Sequence, residues 1–468
     1  MIRPLLIALP LALALACAAP VHGTDWPSYA ADNARSCTSP DPLPTSLALA
    51  WDWSSTHPPQ PAWQGEAKWD GWNKVYNLKP RQTFDRAFQP IVAEGKVFFG
   101  SSADDKVYAL DANTGREVWA FYTDGPVRLA PTVQSGRIWF GSDDGNIYCL
   151  RADNAEPVWQ VRVGPEDRRI PGNGRVISAW PIRTSVLLRD GVVYATAGMF
   201  PSEGVHIVAL DAATGKERWR QIQKDLPAQG YLLASSSRLY IPAGRDNPVV
   251  CDIADGHRVR VVDGAGGTYA LLAGDSLVFG PGKTGQLGMV EDGSSDQLAS
   301  FQGNHMIVTT NRSYLHSDTD ITALDRARYL AFAQERKQLG REQSRISRDL
   351  RKLGNSPDKA AAREPLRLRL AEIGPKIDAI TESMEHCELW HAPTRASLSL
   401  VLAGNTLVAG GSGEIAAFDV ANGKQVWSSS VRGDVYGLAT VNGVLYVATD
   451  QGRLLCFRDP SRKTEVAR

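Results

Sequence analysis

One eleven-residue phrase recurs along this chain, and it constrains the fold more than any other feature. It reads Ala109-Leu-Asp111-Ala-Asn-Thr114-Gly115-Arg-Glu-Val-Trp119 in its first complete copy. Cys149–Trp159, Ala209–Trp219 and Ala417–Trp427 repeat it. Decayed copies run through Asp252/Gly256 and Glu291/Ala299, a broken one begins at Ala323-Leu324-Asp325, and a partial one lies at Cys456-Phe457-Arg458. The phrase encodes a hairpin. Its first residues alternate as a strand, Asp with Thr or Asn caps a turn, Gly supplies the positive φ, and a second strand ends in Trp.

A second hairpin precedes each copy, as in Ile91–Phe99, Thr132–Phe140, Val186–Tyr194, Leu400–Val408 and Leu438–Val447. Several turn at Asp-Gly or Asn-Gly, which favour tight hairpin turns. Two hairpins in series make a four-stranded sheet of about 40 residues, the size of a propeller blade. Blades then start near 86, 127, 176, 229, 267, 304, 396 and 435. The expected fold is an all-β, eight-bladed β-propeller. The last blade has only three strands of its own, and Leu47–Trp53 is predicted to supply the fourth, closing the ring and removing free sheet edges.

The Ala-x-Asp-x-x-Thr-Gly-x-x-x-Trp pattern resembles the tryptophan-docking motif of propellers built from pyrroloquinoline-quinone (PQQ) repeats. It assigns structural docking to Asp111, Gly115, Trp119, Trp159, Asp211, Gly215, Trp219, Asp419, Gly423 and Trp427. The resemblance spans about 45–460, less one insertion, and Asp25–Tyr29 is similar to the mature start of bacterial secreted proteins of this type. Two functions follow from it. One is a non-catalytic binding or assembly scaffold of the cell envelope, like the outer-membrane assembly lipoprotein. The other is a PQQ-dependent periplasmic oxidoreductase acting on an alcohol or sugar, with PQQ and Ca²⁺ over the central channel. Such enzymes carry a catalytic Asp, and often a vicinal Cys-Cys disulfide. This chain has no adjacent cysteines, and their Ca²⁺ ligands do not map onto it. The scaffold reading leads.

The apolar run Leu5–Ala16 follows a single Arg3 and is too short to span a bilayer as a mature helix, so residues 1–23 read as a signal peptide. Val21-His22-Gly23 suits simple cleavage, and Ala14-Leu15-Ala16-Cys17 resembles a lipobox that would anchor the chain by lipid at Cys17. Either way the chain is exported, to the periplasm or beyond. A 24–46 extension, blades over 47–325 and 387–460, and a charged tail 461–468 complete the layout. Of the other cysteines, Cys149, Cys251 and Cys456 fall on strands, while Cys37 and Cys387 stand outside the pattern and leave a disulfide open. Lys plus Arg and Asp plus Glu both number 51, which favours neither nucleic acid nor an anionic surface for the chain as a whole.

Between 326 and 386 the apolar period turns helical, with Phe332, Leu339, Ile346, Leu350 and Leu353, then Leu366, Leu370, Ile373, Ile377, Ile380 and Met384. Two stripes separated by Gly354–Pro357 predict an antiparallel helical hairpin, kinked at Gly374-Pro375. Its outer faces are rich in Arg and Lys, which offers a docking arm for an envelope protein or polymer.

No HExxH, CxxC or DxDxDG motif appears, and the histidines show no ligand spacing, so no metal is assigned. No GxSxG elbow appears either. The segment Pro165–Thr184 departs from the blade pattern, with Arg168, Arg169, Arg175, Ser178, Trp180 and Arg183. Blade entries place Arg86, Phe88, Gln89, Arg128, Tyr269, His305 and Tyr436 nearby. Arg86, Gln89, Arg128, Arg175, Ser178, Trp180 and Arg183 are the candidate ligand residues at the channel mouth, suited to a small anionic or sugar ligand. The competing reading ties the same arginines to carbonyls and acids within the protein.

Overall fold

The computed structural model describes residues 24–62, 83–172, 174–244, 246–263, 269–274, 276–280, 286–291, 297–354 and 357–461. Strands assemble as four-stranded antiparallel units, each a run of consecutive hairpins. Six units are separate sheets, within 91–122, 132–162, 187–223, 233–261, 269–302 and 305–393. An eight-stranded sheet holds the rest. In it the long strand Gln425–Val441 ends a seventh unit begun at Ser399–Ala403 and starts an eighth with Val444–Thr449 and Arg453–Arg458. The outermost strand of the eighth unit comes from the other end of the chain. Ala48–Ser54 runs antiparallel to Arg453–Arg458, with Ala48 opposite Arg458 and Ser54 opposite Arg453.

Strand position within a unit governs composition. Middle strands are buried on both faces, so they read as unbroken apolar runs such as Val97-Phe98-Phe99 and Val107–Leu110. Outer strands are exposed and mixed, as in Glu117–Tyr122.

The indole at the end of one unit rests on the next. Trp119 Nε1 donates to the Ala152 carbonyl at 3.2 Å, Trp159 to Ala212 at 3.0 Å, and Trp390 to Val420 at 2.9 Å. Trp427 donates to Leu47 at 3.0 Å and Trp51 to Ala112 at 3.0 Å, which ties the seventh unit to the eighth and the eighth to the first. For Trp51, Trp159 and Trp390 the ring covers the turn glycine of the receiving unit, whereas the units that receive Trp119 and Trp427 have no glycine at that place. A Cβ on Gly115 would come within 2.6 Å of Trp51, and one on Gly423 within 2.5 Å of Trp390. Glycine at these turns therefore answers two demands, a φ near +70° and room for the ring. The turns themselves are held by Asp111 and Asp211, whose Oδ1 atoms each accept from the backbone and hydroxyl of the following Thr.

Residues 24–46 lie across the innermost strands of most units. Trp26 exchanges two backbone bonds with Val92, and Val133 N donates to Pro27 O. Asn33 Nδ2 donates to Leu188 O, Ala234 N to Asn33 O, and Leu272 N to Ala34 O. Thr38–Ser39 then pairs in parallel with the inner strand of the seventh unit. Units one to five and seven are stitched in this way, and Asn442 N reaches Asp41 Oδ2 from the eighth.

Helix α1 (Arg326–Leu353) and helix α2 (Ala360–Glu385) interrupt the sixth unit between its third and fourth strands. Asp325 caps α1 by accepting from Arg328 N. The helices pack through Ala333, Ile380 and Met384, and Arg369 grips Glu342 across them with two bonds of 2.7 and 2.9 Å. The helical assignment of α2 runs unbroken through Pro375, where the sequence predicts a kink. Cys37 and Cys387 are both free, which removes the disulfide left open above. Among the described residues no helix is long and apolar enough to cross a membrane.

Trp51→Ala removes a buried indole, its hydrogen bond and the wedge between the last and first units. We expect a loss of about 3–5 kcal/mol in unfolding free energy by denaturant titration, the usual result of truncating a large buried aromatic.

Candidate functional site

Of the segment set apart by sequence, Arg169–Gly172 and Arg175–Ser178 form an antiparallel hairpin beside the second unit. The β-branched Ile170, Val176 and Ile177 favour strands in this Gly- and Pro-punctuated segment. The hairpin delivers Arg175, whose Nη1 pairs with Asp105 at 2.7 Å and whose Nη2 donates to Ala103 O at 2.5 Å.

Asp143 gathers the next candidates. It is fully buried in the turn after Ser142. Arg128 Nε donates to its Oδ2 and Arg183 Nε to its Oδ1, both at 2.6 Å. Ser178 N donates to its carbonyl. Arg128 also lies 3.6 Å from the buried Asp85 and donates to Gln60 O at 2.7 Å. Gln60 Oε1 in turn accepts from Arg175. Arg128, Arg175, Ser178 and Arg183 thus belong to one network around Asp143 and Gln60. Burial pushes the Asp85 carboxyl up and the Arg183 guanidinium down, while Asp143 draws Arg183 back toward its charged form. Buried charges persist only when paired, and this group supplies its own partners.

Of the remaining candidates, Trp180 touches that network through its backbone N–H on Ser178 Oγ at 3.1 Å, and Arg86 and Gln89 have other partners. Gln89 Nε2 donates to Tyr436 O at 3.2 Å, and half-buried Arg86 hydrogen-bonds the Tyr436 side chain. Phe88 stacks on Phe99. Trp180 turns toward the third unit, donating to Glu203 O, with Arg168 over its ring at 4.8 Å and paired to Glu203. Tyr269 and His305 each begin an inner strand.

Sequence reasoning missed the groups that complete this region. Asp143 reads as an ordinary turn residue in Asp-Asp-Gly, and Asp85 and Gln60 sit in segments without a repeat signal. Tyr29 and Tyr231 stack with centroids 3.4 Å apart. Beside them Arg35 is buried and donates to Leu232 O, Tyr29 O and Asp32 O. Burial lowers its pKa to about 10. Tyr231 also receives the Ala130 N–H on its hydroxyl. Only the Asp25–Tyr29 signature pointed toward this extension.

The described carboxylates are not arranged as a ready ligand set for the Ca²⁺ that PQQ enzymes carry. No three His, Cys, Asp or Glu side chains gather as ligands among the described residues, and the buried Asp143 is already bound by two guanidiniums.

His305 and His316 lie with rings 5.6 Å apart. His316 is wholly buried, with Nε2 on Ala396 O at 2.5 Å, and burial lowers its pKa to about 4. A histidine depressed in the folded state stabilises above its unfolded value, near 6.5, and that contribution drains away as the pH falls toward the folded value. We expect about 3 kcal/mol of acid-linked stability between pH 6.5 and 4 to vanish in His316→Gln, measured as the difference from wild type in denaturant titrations across that range.

The family model described as "Outer membrane protein assembly factor BamB" matches residues 61–219 and 386–466, just over half of the chain. The BamB of Yersinia pestis is 23 % identical over 158 residues, 33 % of this chain and 37 % of that protein. The quinone alcohol dehydrogenase subunit of Acetobacter aceti is 28 % identical over 144 residues, 28 % of this chain and 19 % of that one. The matched stretches thus span well under half the length of these relatives. The solved structure of quinohemoprotein alcohol dehydrogenase ADHIIG from Pseudomonas putida superposes with a TM-score of 0.58 at 15 % identity, covering 95 % of this chain and 82 % of that one, and shares the fold. On the extent of the family match, the chain belongs to the BamB-like family of PQQ-repeat β-propellers.

Proposed function

We propose that this protein is an exported, non-catalytic binding or assembly scaffold of the cell envelope, in which eight units close into a ring with Ala48–Ser54 as the final strand. The carrying observation is that the arginines best placed to hold a ligand are already used. Arg128 and Arg183 are buried on Asp143, and Arg35 is spent on backbone carbonyls beside the Tyr29–Tyr231 stack. Catalysis on a ligand needs polar groups aimed at vacant space, and these are aimed at one another.

The helical hairpin leaves the sheets and is the natural contact for an envelope protein. At its foot Met289, Phe301, Met306, Leu324, Tyr329 and Leu330 line an apolar pocket. The second reading, a PQQ-dependent oxidoreductase acting on an alcohol or sugar in the periplasm, is favoured by the match to the Acetobacter aceti subunit. Fold alone does not carry that activity across.

Both readings meet in one set of measurements. Deleting 326–386 joins ends that already lie together, since Asp325 N donates to Cys387 O at 2.8 Å. We expect the intact chain to retain an envelope protein in pull-downs that the deletion variant loses. We also expect micromolar PQQ with Ca²⁺ to give neither a bound chromophore nor dye-linked dehydrogenase activity. Bound PQQ with turnover would replace the scaffold reading by the oxidoreductase.

A further inference from the structure

The chain carries no net charge, but its helical hairpin sorts charge along its length. The half nearer the sheets, 326–340 and 370–386, holds five Lys and Arg against five Asp and Glu. The distal half, 341–369, holds nine against four. Arg345, Arg348, Lys352, Lys359 and Arg367 are exposed there. None of these five is ion-paired among the described residues, whereas Arg369 is committed to Glu342 and Glu372. Leu368 stands 58 % exposed between Arg367 and Arg369. At about 1.5 Å per residue, α1 carries its part of this cluster, Arg345 to Lys352, roughly 30 to 40 Å from Asp325.

We propose that the distal half of the hairpin binds an anionic phospholipid surface. Four to eight cations gathered on an amphipathic helix attract a negatively charged leaflet by summed Coulomb interaction. Three of the five exposed cations, Arg345, Arg348 and Arg367, are arginine, whose planar fork grips phosphate oxygens in pairs. An exposed leucine among them suits the headgroup–acyl boundary, where an apolar side chain loses contact with water beside bound cations. Nucleic acid is less well matched, because no aromatic side chain stands among the distal cations to stack on bases. This contact is separate from any protein bound through the apolar foot of the hairpin.

The test is co-sedimentation of the purified full-length protein with phosphatidylcholine vesicles, with and without phosphatidylglycerol. Binding should require phosphatidylglycerol and weaken as salt is raised. Combining Arg345→Gln, Arg348→Gln, Lys352→Gln and Lys359→Gln keeps good helix formers and should cut binding roughly tenfold or more. The same changes should leave far-ultraviolet circular dichroism unaltered. Arg336→Gln with Lys337→Gln, in the balanced half, should bind like wild type. Equal binding to both vesicle types would overturn the proposal. So would wild-type binding by the fourfold variant, or loss of an envelope protein from that variant with vesicle binding intact, which would reassign the tip to an acidic protein.

Discussion

The packing of an indole from one unit against the edge of the next carries this architecture. A four-stranded sheet with apolar faces has no stability alone and must lie against a neighbour. Here the angle and spacing of neighbours are set by a ring that fills the space above a turn, with its N–H on a carbonyl of that turn. Trp119, Trp159, Trp390 and Trp51 all do this, Trp219 lies over Gly256, and Trp427 donates instead to Leu47 at the start of the strand Ala48–Ser54. An indole therefore marks six junctions, four of them over a turn glycine, and two of the six involve the strand brought from the start of the chain.

A second constraint acts from the inside. The inner strands of separate units need hydrogen-bond partners on their free edges, and residues 24–46 supply several of them in one pass. Once the extension lies there, Tyr29 and Arg35 are carried inward, and Arg35 finds carbonyls enough to remain buried. The Asp143 network follows the same logic with carboxylates. Polar groups introduced into the middle of such a fold persist when the chain satisfies them itself, and that satisfaction is what draws them away from ligand chemistry.

The repeat made most of this readable. Periodicity, turn glycines and terminal tryptophans are local features, so the four-stranded units and the all-β class follow from short stretches of sequence. The helical hairpin was equally plain, because its apolar period differs from that of the strands. The candidate site was only partly legible. Arg128, Arg175 and Arg183 could be singled out as unusual, but their partners could not. Asp143 comes from a turn that any hairpin might use, Asp105 from another unit, and Gln60 from the segment leading into the first. Such pairings depend on how units sit against each other, and no local pattern encodes them. Units four and five are also where the motif fades, and neither ends in a tryptophan.

Closure of the ring by its two ends is the claim on which the rest turns. Ala48 and Arg458 stand opposite each other on the closing strands. Replacing both by cysteine and oxidising the protein should give one intramolecular disulfide and a higher unfolding midpoint, since a loop enclosing most of the chain is then fixed. A pair that stays reduced, or that links only separate molecules, would contradict closure at that strand.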